Sequence, residues 1–173
     1  LHSFPTRRSS DLLLRGTRKS TTLTDKLLET YSLRRIPEAH SPNAWISRDP
    51  ETVRKYDEDP KTSFLFTNQG FADLFDLQLA CNQNEWFQRF PTYLPIYLVS
   101  GEEDPIGNFG KDISRIAGKL LHAGAEDVSY KLYPRARHEI LNEINREQVY
   151  YDIAAWMEDH LPYAADEVPH AQV

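Results

Sequence analysis

The stretch Leu94–Pro105, LPIYLVSGEEDP, constrains the fold more than any other part of the sequence. Ile96, Tyr97, Leu98 and Val99 run without a polar interruption, the pattern of a short strand covered on both faces in a parallel sheet. Gly101 ends the run, and three carboxylates follow at once: Glu102, Glu103 and Asp104. A helix is expected over Lys111 to His122, where Ile113, Ile116, Ala117, Leu120 and Leu121 share one face. Gly124 suits its C-terminal cap. Val128, Tyr130 and Leu132 then alternate with Ser129, Lys131 and Tyr133, giving a second strand with unequal faces. For strand, helix and strand in this order, a right-handed parallel crossover is the expected geometry. Asn145, with Gln148 three residues on, predicts a capped last helix lined by Val149, Ile153 and Trp156 and stopped by Pro162.

Upstream the pattern is helical and fragmentary. Leu23 to Leu33 carries a rough apolar stripe that Pro37 ends. Asp49-Pro50-Glu51 is a helix start, with Asp as N-cap, Pro at the first helical position and an acid in the first turn. Phe71, Leu74, Phe75, Leu77 and Leu79 give a further helix with a broad apolar face, and Trp86, Phe87 and Phe90 add bulk before Pro91. No convincing strand lies between Leu23 and Phe90. Trp45, Tyr56, Phe71 and Phe75 read as packing residues of a helical lid. The expected division is a leader at 1–12, a lid at 13–90, a sheet-bearing part at 91–163 and a flexible tail at 164–173. The leader, LHSFPTRRSSDL, resembles translated sequencing-adapter read-through and is set aside from fold reasoning.

Composition narrows the function classes. Hydrophobic residues make up 40% and charged residues 27% of the 173 residues, a globular balance. The net charge of −6 argues against nucleic acid, whose phosphates demand a basic surface. Cys81 is the single cysteine. It excludes an internal disulfide and a multi-cysteine metal centre, and makes a reducing, cytoplasmic setting the expectation. No uncharged apolar run approaches the roughly 20 residues of a membrane helix. His40, His122 and His160 lack the spacing of metal ligands.

The chemistry-bearing residues cluster where open α/β sheets form sites, outside the carboxyl ends of the strands. The interval from Asp104 to His138 holds one helix, one strand and their loops, so the two side chains can meet on one sheet edge. An acid accepting from the imidazole Nδ1–H fixes the tautomer and leaves Nε2 to exchange a proton with a nucleophile and a leaving group. Glu102 and Glu103 compete for the acid's role. Asp104 is favoured because Pro105 fixes the backbone after it and Gly101 permits a tight exit from the strand.

The segments WISRDPETVRKYDEDP, FADLF, PIYLVSGEEDPIGNFGK and KLYPRARHEILNE resemble the α/β-hydrolase family of monoacylglycerol lipases, lysophospholipases and serine aminopeptidase domains. The resemblance covers about Arg15 to Leu161. It implies the C-terminal portion of an α/β-hydrolase fold, with part of a helical cap followed by β-α-β-α at the end of the parallel sheet. It implies Asp104 as triad acid, His138 as triad base, and Arg137 and Glu139 as neighbours that hold the histidine loop. It also implies a small acyl ester as substrate, of monoacylglycerol or lysophospholipid type. No cofactor is required, and membrane-surface association of the cap is an option.

One element of that family is missing. Its nucleophile sits in Gly-x-Ser-x-Gly on a strand-to-helix turn, and no two of the seven glycines here stand four apart. Ser100 lies within a strand rather than on such a turn. The expectation is therefore a hydrolase fragment, inactive and poorly folded by itself. The alternatives are a non-catalytic βαβ interaction module or another α/β-hydrolase chemistry, such as an aminopeptidase or a dehalogenase with an Asp nucleophile.

Overall fold

The computed structural model describes residues 22–36, 39–62 and 64–161. The expected leader and tail, and the helix-ending prolines Pro37 and Pro162, lie outside them. In chain order the elements are α1 (Thr22–Leu33), α2 (Pro50–Glu58), α3 (Asn68–Cys81), α4 (Asn84–Gln88), β1 (Ile96–Gly101), α5 (Lys111–His122), β2 (Val128–Tyr133), a 3-10 turn (Ile140–Asn142) and α6 (Arg146–His160).

The strands pair in parallel, from Ile96 opposite Val128 to Gly101 opposite Tyr133. The two-residue period then sorts side chains to opposite faces. Ile96, Leu98 and Val128 pack with Phe87 of α4, Leu120 of α5 and Ala125. Val99 and Tyr133 pack on the other side with Ala136, Ile140, Val149 and Ile153. Tyr97 stacks on Trp156 of α6, with ring centroids 5.4 Å apart. Helices thus cover both faces, which explains the unbroken apolar run in β1. Each large apolar side chain buried this way, such as Leu120 or Phe87, contributes roughly 1.5–3 kcal/mol. Among the described residues neither strand has a second neighbour, so both edges keep unpaired backbone groups.

Helix ends follow local chemistry at most positions. Asp49 caps α2 by accepting from the Glu51 N–H, with Pro50 first in the helix. Thr67 caps α3 by accepting from the Gly70 N–H. Gly124, at φ 99°, lets the chain leave α5, and the Ala125 N–H returns to the Leu120 carbonyl. The capping box expected at Asn145 does not form. Its Oδ1 accepts instead from Arg48 Nη2 at 2.6 Å, and Gln148 reaches forward to Asp152. A guanidinium from a distant segment outcompetes the local helix N–H, because a charged donor makes the stronger bond.

The helices before β1 bury less. In α3 only Phe71 is buried, and Leu74, Phe75, Leu77 and Leu79 are exposed. Phe64, Phe66, Phe71 and Phe75 form a continuous aromatic ladder with centroids 5.2 to 6.0 Å apart. Among the described residues no helix is long and apolar enough to cross a membrane.

Candidate active site

Asp104 is placed by the turn that follows β1. Its N–H donates to the Gly101 carbonyl at 3.2 Å, and its carbonyl accepts from the Phe109 N–H at 2.8 Å. Its Oδ1 accepts from the Ile106 N–H at 2.9 Å. Asn108, Phe109 and Gly110 then take positive φ in succession, at 50°, 57° and 81°. A bulky side chain there is strained by about 1–3 kcal/mol. Phe109 is held by its bond to Asp104 and by its ring, which lies against Tyr31 and under the guanidinium groups of Arg34 and Arg35.

His138 is placed by the turn that follows β2. The Ala136 N–H donates to the Tyr133 carbonyl at 3.1 Å, with Pro134 and Arg135 between them and Arg135 at φ 59°. Pro second and positive φ third define a type II turn. The chain then passes directly over Gly101. A Cβ at that position would fall on the carbonyl oxygens of Ala136 and Arg137, so only glycine admits this crossing. The Glu102 and Glu103 N–H groups donate to the Tyr133 and Ala136 carbonyls. The acid loop and the histidine loop are therefore fastened to each other through main chain.

This fastening brings the two side chains together. His138 Nδ1 lies 3.1 Å from both Oδ1 and Oδ2 of Asp104. The Asp104 side chain is 9% exposed and the imidazole 39%. Hydrogen bonding to Asp104 raises the His138 pKa above its ordinary 6.5 against the opposing pull of partial burial, with smaller help from the charges of Asp104 and Glu139. Of the three carboxylates after β1, only Asp104 reaches the histidine. Glu102 accepts from the Arg135 N–H, and Glu103 acts electrostatically on Arg137. Ser100 is buried with its Oγ 3.4 Å from Asp104 Oδ2.

The segment before α2 forms the third wall. The His138 N–H donates to the Trp45 carbonyl at 3.3 Å and the Glu139 N–H to the Ile46 carbonyl at 2.7 Å. The Trp45 ring packs on the imidazole with centroids 5.1 Å apart, so this tryptophan belongs to the site and not only to lid packing. Arg137 holds the histidine loop as expected, donating from Nη1 to the Ala44 and Ser47 carbonyls. Its pKa is lowered by burial, which the charges of Glu143 and Glu103 oppose. Sequence reasoning missed Arg48 and Glu143. Glu143 is fully buried and paired with Arg48 Nε at 2.9 Å.

A parallel β-α-β core, with a carboxylate and a histidine meeting at its carboxyl edge, defines the chain as part of an α/β hydrolase. It belongs to the serine aminopeptidase S33 family, whose model matches residues 8–145. A monoacylglycerol lipase of Mycolicibacterium smegmatis is 29% identical over 119 residues, covering 67% of this chain and 39% of that protein. A thermostable carboxyl esterase from Bacillus coagulans, crystallised with glycerol, is 27% identical with a TM-score of 0.76. That match covers 86% of this chain and 49% of the esterase. A monoacylglycerol lipase from Paleococcus ferrophilus, at 20% identity and a TM-score of 0.57, covers 85% of this chain and 56% of its own, and shows the shared fold alone. The chain thus spans half or less of the length of the first two relatives.

Proposed function

We propose that this chain carries the acid and the base of a Ser-His-Asp triad that hydrolyses carboxylic esters. Asp104 is the acid and His138 the base. The observation that carries this reading is the 3.1 Å approach of His138 Nδ1 to both Asp104 oxygens at the carboxyl edge of adjoining parallel strands. With Nδ1–H held by the carboxylate, Nε2 is the nitrogen that accepts the serine proton and later donates it to the leaving alcohol. The negative charge of Asp104 stabilises the imidazolium formed between these steps.

In this reading the serine, in Gly-x-Ser-x-Gly, and the oxyanion hole come from sequence outside the 173 residues, and the chain alone is inactive. In the same reading the described residues of the expected 13–90 division belong to the helical cap, and those of the 91–163 division to the end of the hydrolase core. A monoacylglycerol or lysophospholipid is the proposed substrate. The similarity to the monoacylglycerol lipase of Mycolicibacterium smegmatis and the exposed apolar surface of α3 support that class. Phe64, Leu65, Phe66 and Phe75 give the cap a face that suits lipid. A cytoplasmic setting completes the reading.

A fluorophosphonate probe tests it on a polypeptide extended upstream through a Gly-x-Ser-x-Gly segment. Covalent labelling that is lost with His138→Ala supports the triad. An extended polypeptide that never labels favours the non-catalytic βαβ module. Comparing ester and aminoacyl-amide substrates separates lipase from aminopeptidase activity.

A further inference from the structure

We infer that Glu143 is a positioning residue for His138, acting through a buried fork of four N–H donors. The inference rests on the reading of His138 as the base. Glu143 has no exposed surface. Its Oε1 accepts from the main-chain N–H groups of Arg48 at 3.0 Å and Arg137 at 2.9 Å. Its Oε2 accepts from Arg48 Nε at 2.9 Å and the Ile144 N–H at 3.1 Å. One carboxylate thus joins the residue immediately before His138 to the segment that carries Trp45.

The consequences run to the imidazole from two sides. Fixing the Arg137 N–H sets where the chain enters His138 and therefore where Nδ1 stands against Asp104. Fixing Arg48 holds the Trp45 and Ile46 carbonyls that accept from the His138 and Glu139 N–H groups, and holds the Trp45 ring against the imidazole. Ser47 and Thr52 reinforce the same seam by donating to the Asn142 carbonyl. The charged groups around it are Asp104 and Glu139 toward His138, and Arg48 and Arg137 toward Glu143.

A glutamine at 143 offers one acceptor oxygen and one donor nitrogen. Two of the four incoming N–H groups would then face an N–H, and a buried donor left unpaired is costly. The loop relaxes at Arg137, and the Nδ1 contact with Asp104 lengthens.

The test follows the His138 ring by NMR across pH in the polypeptide extended upstream through a Gly-x-Ser-x-Gly segment, alongside thermal unfolding. Glu143→Gln and Arg48→Lys are each expected to lower the His138 midpoint by about half a pH unit, toward the unpaired value. Leu120→Ala, in the core on the other face of the sheet, is expected to lower the unfolding temperature without moving that midpoint. An unchanged midpoint in a folded Glu143→Gln or Arg48→Lys chain overturns the proposal, as does a shift of equal size in Leu120→Ala. If Glu143→Gln fails to fold, Arg48→Lys decides. Loss of folding in both also contradicts the proposal, because the carboxylate would then serve the fold as a whole. The titration needs no turnover, so its outcome is separable from the ester-hydrolase reading.

Discussion

His138 holds its Nδ1 3.1 Å from each carboxylate oxygen of Asp104, across two loops that leave neighbouring parallel strands. The loops are tied by main-chain hydrogen bonds from Glu102 and Glu103 to the histidine loop. The dyad is therefore set by the backbone and not by the reach of long side chains.

Removing the charge at Asp104 should bring the histidine back toward its ordinary titration. The folded His138 pKa lies above 6.5 because of Asp104. The stabilisation from this pair is therefore full below the unfolded value of 6.5 and is lost as pH rises through the raised folded value. Asp104→Asn should lower the NMR midpoint of His138 and cost roughly 0.5–1 kcal/mol at about pH 6, a modest figure because the ring is partly solvated. The cost should shrink above the folded midpoint. Urea unfolding at about pH 6 and pH 9 checks this, and a larger cost at the alkaline end would contradict it.

Two glycine-to-alanine changes should act in opposite directions. At Gly101 the added methyl meets the carbonyl oxygens of Ala136 and Arg137, and neither can withdraw without opening the crossing of the two loops. Gly101→Ala should destabilise by about 3 kcal/mol or more. At Gly118, inside α5, a methyl meets nothing within 4 Å, and Gly118→Ala should stabilise by about 0.5–1 kcal/mol. Thermal unfolding of the two single variants reads both signs.

The type II turn offers a third check. Arg135 holds φ 59° with its side chain exposed. A non-glycine residue in this region costs roughly 1–2 kcal/mol, and glycine removes that cost while adding some unfolded-state entropy. Arg135→Gly should raise stability by up to about 1 kcal/mol. A loss of that size would show that the arginine side chain contributes more than its exposure suggests.

Much of the fold was readable because it rests on short-range periodicity. The apolar run Ile96 to Val99, the helical stripe from Ile113 to Leu121 and the alternation from Val128 to Tyr133 each announce one element. Chain order then puts Asp104 and His138 on one edge. What escaped depends on contacts between residues far apart in sequence. Arg48 and Glu143 are separated by 95 positions, and a glutamate buried by such a partner looks, in sequence, like any surface acid. The same guanidinium diverts Asn145 from its capping role. Trp45 was indistinguishable from the other lid aromatics because only the return of the histidine loop brings His138 to it.

Nitrophenyl-ester turnover tests the central claim most directly. It is to be measured for the 173-residue chain, for the polypeptide extended upstream through a Gly-x-Ser-x-Gly segment, and for the extended form with His138→Ala. The account predicts no turnover by the chain alone, turnover by the extended form, and a loss of about 10⁴-fold or more in kcat when His138 is replaced. Turnover by the 173 residues alone, or retained turnover without His138, would contradict it.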